Sequence, residues 1–423
     1  MSHPIPVAAA LAAALSLSSP AAGEPAAIAV VLSETPAPAA FPAALIRAGI
    51  EAAIQVANAE EAGKAQPVRA VFADDRGTLP GAGDAAQRLL AAGAVALVGG
   101  QVSATAPAQI AAAARSGQPY VNVNGWDAGL RVPGVGAVYH ISPDPQTVPR
   151  MLARSAAALS ATRVTMTASA ADRGAEARAE PLKAALATLD PPIAAAFVPF
   201  DPAYRGPAAA APLRREPPDL LMVVQGGAAG ARLLGQLRQA GIVPQPGTLA
   251  LDAAGIADSA AFWDDAKDAG RYLLSVALHH PAIPLTPRGE ALRRALPADM
   301  PETRLFHQGA DAVFALVDAM RRARSTDAAA IVRALDAAPG TGSRGPIRFQ
   351  TETGPRLRQR VDIPFALVQH QETDAPADRA VAVWIPGQSV WADRLARPGR
   401  GSGAPERPVP PPVKPQPTAG AQR

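Results

Sequence analysis

The 423-residue chain contains no cysteine. That excludes disulfide frameworks, thiolate zinc sites, cysteine nucleophiles and lipid attachment at a lipoprotein cysteine. Aromatic residues are scarce at 4%, and charged residues make up only 18%. No dense basic patch with interleaved aromatics is present, which argues against nucleic-acid binding. The net charge of +4 is concentrated at the carboxyl end, where Arg397, Arg400, Arg407, Lys414 and Arg423 stand against Glu406 alone. The rest of the chain is close to neutral. Long apolar runs are also missing. The longest near the amino terminus, Val7 to Leu17 (VAAALAAALSL), is too short to span a bilayer as a mature helix.

Apolar residues are plentiful at 48%. A chain of this composition buries a sizeable core and is not wholly disordered. At roughly 100–200 residues per domain, its length suits two large lobes. The Val7–Leu17 run is followed by SSPAAGEP, with small residues where a signal peptidase cuts. We therefore expect a cleaved secretory signal over residues 1–23, although MSHPIP before it carries no Lys or Arg. After about Asp393 the chain turns rich in Pro, Gly and charge. Residues 393–423 are expected to form a disordered, in places polyproline-like, tail.

Between these ends, short apolar runs alternate with Ala/Leu-rich helical stretches. Strands are expected at Ala27–Leu32, Arg69–Asp74, Ala94–Val98 and Tyr120–Val123. Helices are expected over about Phe41–Ala59, from about Gly83, and near Ala106–Arg115. The rhythm restarts with strands at Arg163–Thr167, Ala194–Pro199, Asp219–Val224 and Thr248–Leu251, and helices at Ala175–Leu189 and Ala228–Ala240. Thr303–Ala323 is the clearest amphipathic helix, and Ile347–Phe349 and Phe365–Gln369 read as late strands. Continuous apolar strands alternating with helices predict an α/β fold with parallel sheets covered by helices. Two consecutive series predict two Rossmann-like lobes.

Several segments, in order, resemble the type I periplasmic solute-binding proteins, the branched-chain amino acid (Leu/Ile/Val) receptor family of ABC importers. IAVVLSETPAPAAFPAALIRAGIEAAIQVAN is similar to that family's first strand, loop and long helix. RAVFADDRGT, with Asp74 and Asp75, is similar to its second strand. ALVGGQVSATA, QPYVNVNG, ASAADRGAEARAEPLKAAL and LALDAAG resemble later strand-loop units. FHQGADAVFALVDAMRRARSTDAAAIVRAL and GPIRF resemble the carboxyl-terminal helix pair and a crossover strand. The resemblance implies two lobes joined by crossover hinge strands, with the ligand between them. It places 24–143 and 281–343 in the first lobe, and 144–280 and 344–392 in the second.

The same resemblance implies a binding site. Ser103, with Thr105 beside it, falls where the family bonds a ligand carboxylate, and both suit the start of a helix as N-caps. Asn124 falls where a backbone carbonyl receives the ligand's ammonium. Trp126 stands where a threonine donor is usual, so it changes the size and polarity of the pocket. Asp252 matches the acid that holds an α-ammonium, and it also suits a loop cap. Two expected tyrosines are absent: Arg173 replaces one, and Gln225-Gly226-Gly227 replaces the other. A ligand more acidic or bulkier than leucine is therefore expected. The implied role is a periplasmic, monomeric binding component that serves an inner-membrane ABC permease and ATPase. It would have no catalytic residues, cofactor or metal. The alternative is a periplasmic ligand sensor acting with a partner receptor.

Enzyme readings are weak. Gly81-Ala82-Gly83 with Ala86 spells a dinucleotide-type GxGxxA, but Arg76–Pro80 separate it from the strand, so the tight turn is missing. No GxSxG is present. His279, His280 and His307 suggest a metal, but adjacent strand histidines diverge and no close acidic cluster in the sequence completes a site. A structural or surface role is expected for them.

Overall fold

The computed structural model describes residues 24–36, 42–60, 66–125, 130, 135–144, 146–201, 211–245, 247–259, 261–354 and 356–398. The expected leader, Trp126 and most of the expected tail lie outside the described residues.

The first series comprises β1 (Ala26–Leu32), α1 (Ala43–Glu60), β2 (Val68–Asp74), α2 (Leu79–Ala91), β3 (Ala96–Gly99), α3 (Ala106–Ser116), β4 (Tyr120–Asn122) and β5 (Val138–His140). Its strands form one sheet in the order β2-β1-β3-β4-β5, with parallel pairing throughout. Every residue of β1 is buried, as a sheet covered on both faces demands. Its side chains alternate between two cores. Ile28, Val30 and Leu32 pack with α1, while Ala27, Ala29 and Val31 pack with α2 and α3.

The second series comprises α4 (Thr147–Ala158), β6 (Arg163–Thr167), α5 (Ala175–Ala187), β7 (Ala194–Phe197), α6 (Ala211–Arg215), β8 (Leu220–Val223), α7 (Gly227–Gln239), β9 (Leu249–Asp252), α8 (Phe262–Ala266) and β10 (Leu273–Ala277). The chain then forms α9 (Pro287–Ala295), α10 (Arg304–Ala323), α11 (Ala328–Ala337) and a hairpin of β11 (Gly340–Gly342) and β12 (Gly345–Ile347). It ends in β13 (Ala366–Gln369) and β14 (Val381–Trp384). The second sheet runs β14-β13-β10-β9-β8-β6-β7. β13 and β14 are antiparallel additions to a parallel body. Leu220 and Met222 of β8 face the α4/α5 core, and Leu221 and Val223 face the α7/α8 core.

α10 closes the first lobe. Its buried face includes Phe306, Ala310, Val313, Phe314 and Val317, packed with α1 and β1 in one core. The two helices approach until backbones touch. A methyl group on Gly49 would lie 2.0 Å from the Phe306 carbonyl oxygen, and one on Gly309 2.5 Å from that of Ile46. Ile347 and Phe349 join this same core.

The chain passes between the lobes three times, at 141–146, 278–286 and 348–365. The end of β5, where the first passage begins, is hydrogen-bonded to the third. His140 N donates to Arg358 O at 3.0 Å, and Arg360 N donates to His140 O at 3.0 Å. Beneath them lies a fully buried ion pair, Arg360 Nη1 to Asp311 Oδ2 at 2.7 Å. Asp311 Oδ1 also accepts from Ser343 N at 2.7 Å. Burial alone would raise the Asp311 pKa, but Arg360, Arg344 and the Ser343 amide hold it below the ordinary range.

The chain beyond Asp393 remains attached to the second sheet as far as it is described. Ala396 N donates to Gln369 Oε1 at 2.8 Å, and Gln371 Nε2 donates to Arg394 O at 2.6 Å.

Candidate functional site

In parallel sheets the loops after the strands gather at one edge. In the first lobe these are the loops after β1, β2, β3 and β4, and one polar network locks them together. Asp75 is fully buried. It accepts from Ser33 Oγ at 2.6 Å, Gly77 N at 2.9 Å and Gln109 Nε2 at 3.2 Å. Gln109 Oε1 accepts from Gly100 N and from Tyr120 Oη, both at 2.9 Å. Gln101 Oε1 accepts from Ser33 N at 2.8 Å. Gly100 sits at φ +73°, where a methyl group would strike Asn122 Oδ1 at 2.3 Å. The loops are therefore pre-set by buried amides and one carboxylate, as a rigid binding edge requires.

Thr105 occupies the N-cap position of α3, yet its side chain makes no capping bond. Its hydroxyl turns back to Val102 O at 3.4 Å. Ser103 sits half-buried in the same turn. Asn124 is buried and bridges two elements. Its Nδ2 donates to Gln101 O at 2.9 Å, and its Oδ1 accepts from Arg304 Nη1 at 2.7 Å.

Arg304 is the first residue of α10 and also donates to Gln308 Oε1 at 3.2 Å. A cation at the positive end of a helix is electrostatically misplaced. That misplacement was the available sequence signal, and the strong amphipathic pattern of 303–323 masked it. Burial lowers the Arg304 pKa, against the opposing pull of Asp258.

Asp258 belongs to the second lobe, in the loop after β9. Its side chain reaches solvent, but enough protein surrounds it that desolvation raises its pKa, with Arg304 pulling the other way. The two opposite charges, one on each lobe, thus lie in each other's field. Asp252 lies deeper. Its Oδ1 accepts from Ala254 N and its Oδ2 from Ala257 N, both at 2.9 Å. Burial raises its pKa. The amides of Ala257, Ile256 and Ala254 oppose that rise, and the like charge of Asp258 adds to it. Asp252 thus shapes the loop that presents Asp258.

Gln225 ties the neighbouring loop to the one after β6, its Oε1 accepting from Ser169 N at 2.9 Å. The loops after β8 and β9 pack closely, since a methyl group on Gly226 would meet Ala254 O at 2.4 Å. Arg173 is exposed in the turn before α5. Its neighbour Asp172 pairs with Arg178 instead. The structure therefore brings Ser103, Thr105 and Asn124 to one edge and Gln225 and Asp252 to another. It adds Arg304, Gln308 and Asp258, which the sequence did not reveal.

Two other expectations meet the structure here. The Gly81-Ala82-Gly83 segment lies inside α2, with Thr78 Oγ1 capping Gly81 N at 3.1 Å, so it forms no phosphate-binding turn. The histidines do acquire an acid. Glu302, distant in sequence from His279, stands beside both His279 and His307. A surface depression of about 460 Å³ beside α11, lined by Arg333, Asp336, Ala337, Thr351 and Leu357, shares no residue with the strand-end loops.

Two doubly wound lobes, each with its strand-end loops braced by buried polar groups, and a chain that passes three times between them define a two-lobe α/β binding protein. The comparisons agree. The family model described as periplasmic binding protein matches residues 25–375, and this chain belongs to that family. Among solved structures, a leucine binding protein from Thermotoga maritima is 20% identical, with 85% of this chain and 98% of that one covered at a TM-score of 0.54. A putative branched-chain amino acid ABC transporter protein from Rhodospirillum rubrum is 17% identical, with 85% and 100% covered at a TM-score of 0.65. A branched-chain amino acid transporter substrate binding protein from Streptococcus pneumoniae, in complex with isoleucine, is 17% identical, with 86% and 100% covered at 0.54. A search of curated proteins returns no match. No helix among the described residues is long and apolar enough to cross a membrane.

Proposed function

We propose that this protein is the substrate-binding component of an ABC importer, and that it captures a small polar organic molecule, amino acid-like or a carboxylate, between its lobes. It acts as a periplasmic monomer released by signal cleavage, and it delivers to membrane-embedded permease and ATPase subunits. The reading includes no catalytic step and no cofactor.

The observation that carries it is the placement of opposite charges on the two lobes, within each other's field. Arg304, oriented by Asn124 and Gln308, belongs to the first lobe, and Asp258 belongs to the second. A ligand carrying a carboxylate and an ammonium would replace their mutual attraction with two charge-assisted bonds, each worth about 1.5–3 kcal/mol. Because the partners sit on different lobes, such a ligand favours the arrangement in which both reach it. The α3 amides near Ser103 and Thr105 add donors for the anionic end. Trp126 supplies an apolar wall, and Arg173 serves a second acid. With no tyrosine at Arg173 or at Gln225-Gly226-Gly227, the preferred ligand is more acidic or bulkier than leucine.

A thermal-shift screen of the purified protein against amino acids, dicarboxylates, amides and small aromatic acids tests the reading. A ligand at a hundredfold excess over its Kd stabilises by about 2.7 kcal/mol. For the ligand class that shifts the protein, Arg304→Gln and Asp258→Asn should each weaken binding about 10- to 150-fold. Micromolar leucine binding would refute the acidic-ligand preference. Unchanged affinity in both variants would refute the site.

A further inference from the structure

The second passage between the lobes, 278–286, carries two adjacent histidines with different tasks. His280 turns to the second lobe, where its Nε2 bonds Ala380 O at 2.8 Å and its Nδ1 accepts from Ala282 N at 3.1 Å. His279 turns to the first lobe. Its ring stacks on that of His307, with centroids 5.5 Å apart and 26° between planes. His279 Nδ1 is buried and has no hydrogen-bond partner. His307 is fully buried on α10. Its Nε2 lies 2.8 Å from Glu302 Oε1. Glu302 Oε2 accepts from Arg293 Nε at 3.0 Å. One donor atom from each of His279, Glu302 and His307 falls within 4.8 Å of the other two.

We propose that His279, Glu302 and His307 form a divalent transition-metal site, of the kind zinc occupies, that fastens the 278–286 passage to α10. Two imidazoles and one carboxylate are a sufficient protein donor set for zinc, with a fourth position left to water. Donors at about 2.0–2.1 Å from one zinc ion stand roughly 3.4 Å apart. The longest separation, at most 4.8 Å, must therefore close by no more than about 1.4 Å, while the 2.8 Å His307–Glu302 contact must open by about 0.6 Å. The outer support is already built. His307 Nδ1 faces Ser343 Oγ at 3.0 Å, and the Ser343 amide is anchored on Asp311. Metal-bound histidines use their second nitrogen in this way. With a metal on Nε2, the ring proton resides on Nδ1 and donates to Ser343 Oγ, so no net proton is lost. The Arg344 charge opposes a cation here, and Glu302 offsets it.

The test uses the untagged full chain, stripped with chelator and titrated with zinc chloride by calorimetry. Cobalt chloride is followed in parallel by visible absorption. One equivalent should bind with a Kd below about 100 µM, and cobalt should give the intense bands of a tetrahedral site. His279→Ala should weaken zinc binding at least about tenfold, with the far-ultraviolet circular dichroism unchanged, because His279 Nδ1 holds no structural bond. If that variant misfolds, His279→Gln fills the space without an imidazole and reads the same loss. Absence of saturable binding, or equal affinity in a folded His279 variant, overturns the site.

Discussion

Asp311→Asn is the most revealing substitution for the region where the lobes join. The carboxylate and Arg360 are both essentially inaccessible, at 0% and 2% side-chain exposure. The amide cannot neutralise the guanidinium, so a buried charge is left uncompensated. Breaking one partner of such a pair costs about 3–5 kcal/mol. At about 2–4 °C per kcal/mol for a unit of 150–250 residues, the melting temperature should fall by roughly 6–20 °C. Arg360→Met should cost about as much, because it strands Asp311. The double change Asp311→Asn with Arg360→Met should be milder than the sum of the singles, since both desolvated charges disappear together. Calorimetry on the four proteins, with guanidinium titrations in support, measures this cycle. A single-variant loss under about 1 kcal/mol, or strict additivity in the double, would refute the argument that the pair is held by mutual compensation.

Other consequences are equally concrete. Gly49→Ala, or Gly309→Ala, should cost about 3 kcal/mol or more by denaturant titration, because each methyl meets backbone of the opposite helix rather than a mobile side chain. His370 is buried and pushed down to about 4 by desolvation. The unfolded chain therefore binds its proton first, so stability is complete above about pH 6.5 and falls by up to about 3 kcal/mol towards pH 4. His370→Gln should flatten that part of a pH-stability curve. Asp252→Ala should lower stability by about 1.5–3 kcal/mol and weaken ligand binding as well, because the Asp258 loop loses two anchors. Asp258→Asn should weaken ligand binding with little change in melting temperature.

Elements with a clear two-residue or helical period were legible in the sequence. Arg163–Thr167 and the helix after Thr303 fall where periodicity puts them. α2 starts earlier than its Ala/Leu pattern suggests, at Leu79, because Thr78 caps it and Pro80 suits a first turn. β5, with only three residues, has no period to detect. At the candidate site, Ser103, Asn124, Gln225 and Asp252, which the family resemblance singled out, stand at or just past strand ends, where a strand pattern read from sequence can locate them. Arg304 and Asp258 could not. One opens a helix far along the chain, and the other lies past the end of β9, so only the tertiary fold puts them in each other's field. Glu302 escaped for the same reason. It approaches His279 through α10, not through neighbouring sequence.

The contact between α1 and α10 also sets an order of events. One face of the first sheet is covered only in part, by α1, until Arg304–Ala323 has been made, although β1 to β5 are complete by His140. The lobe that begins first is thus among the last to finish. Such long-range closure slows folding and leaves apolar surface open for longer.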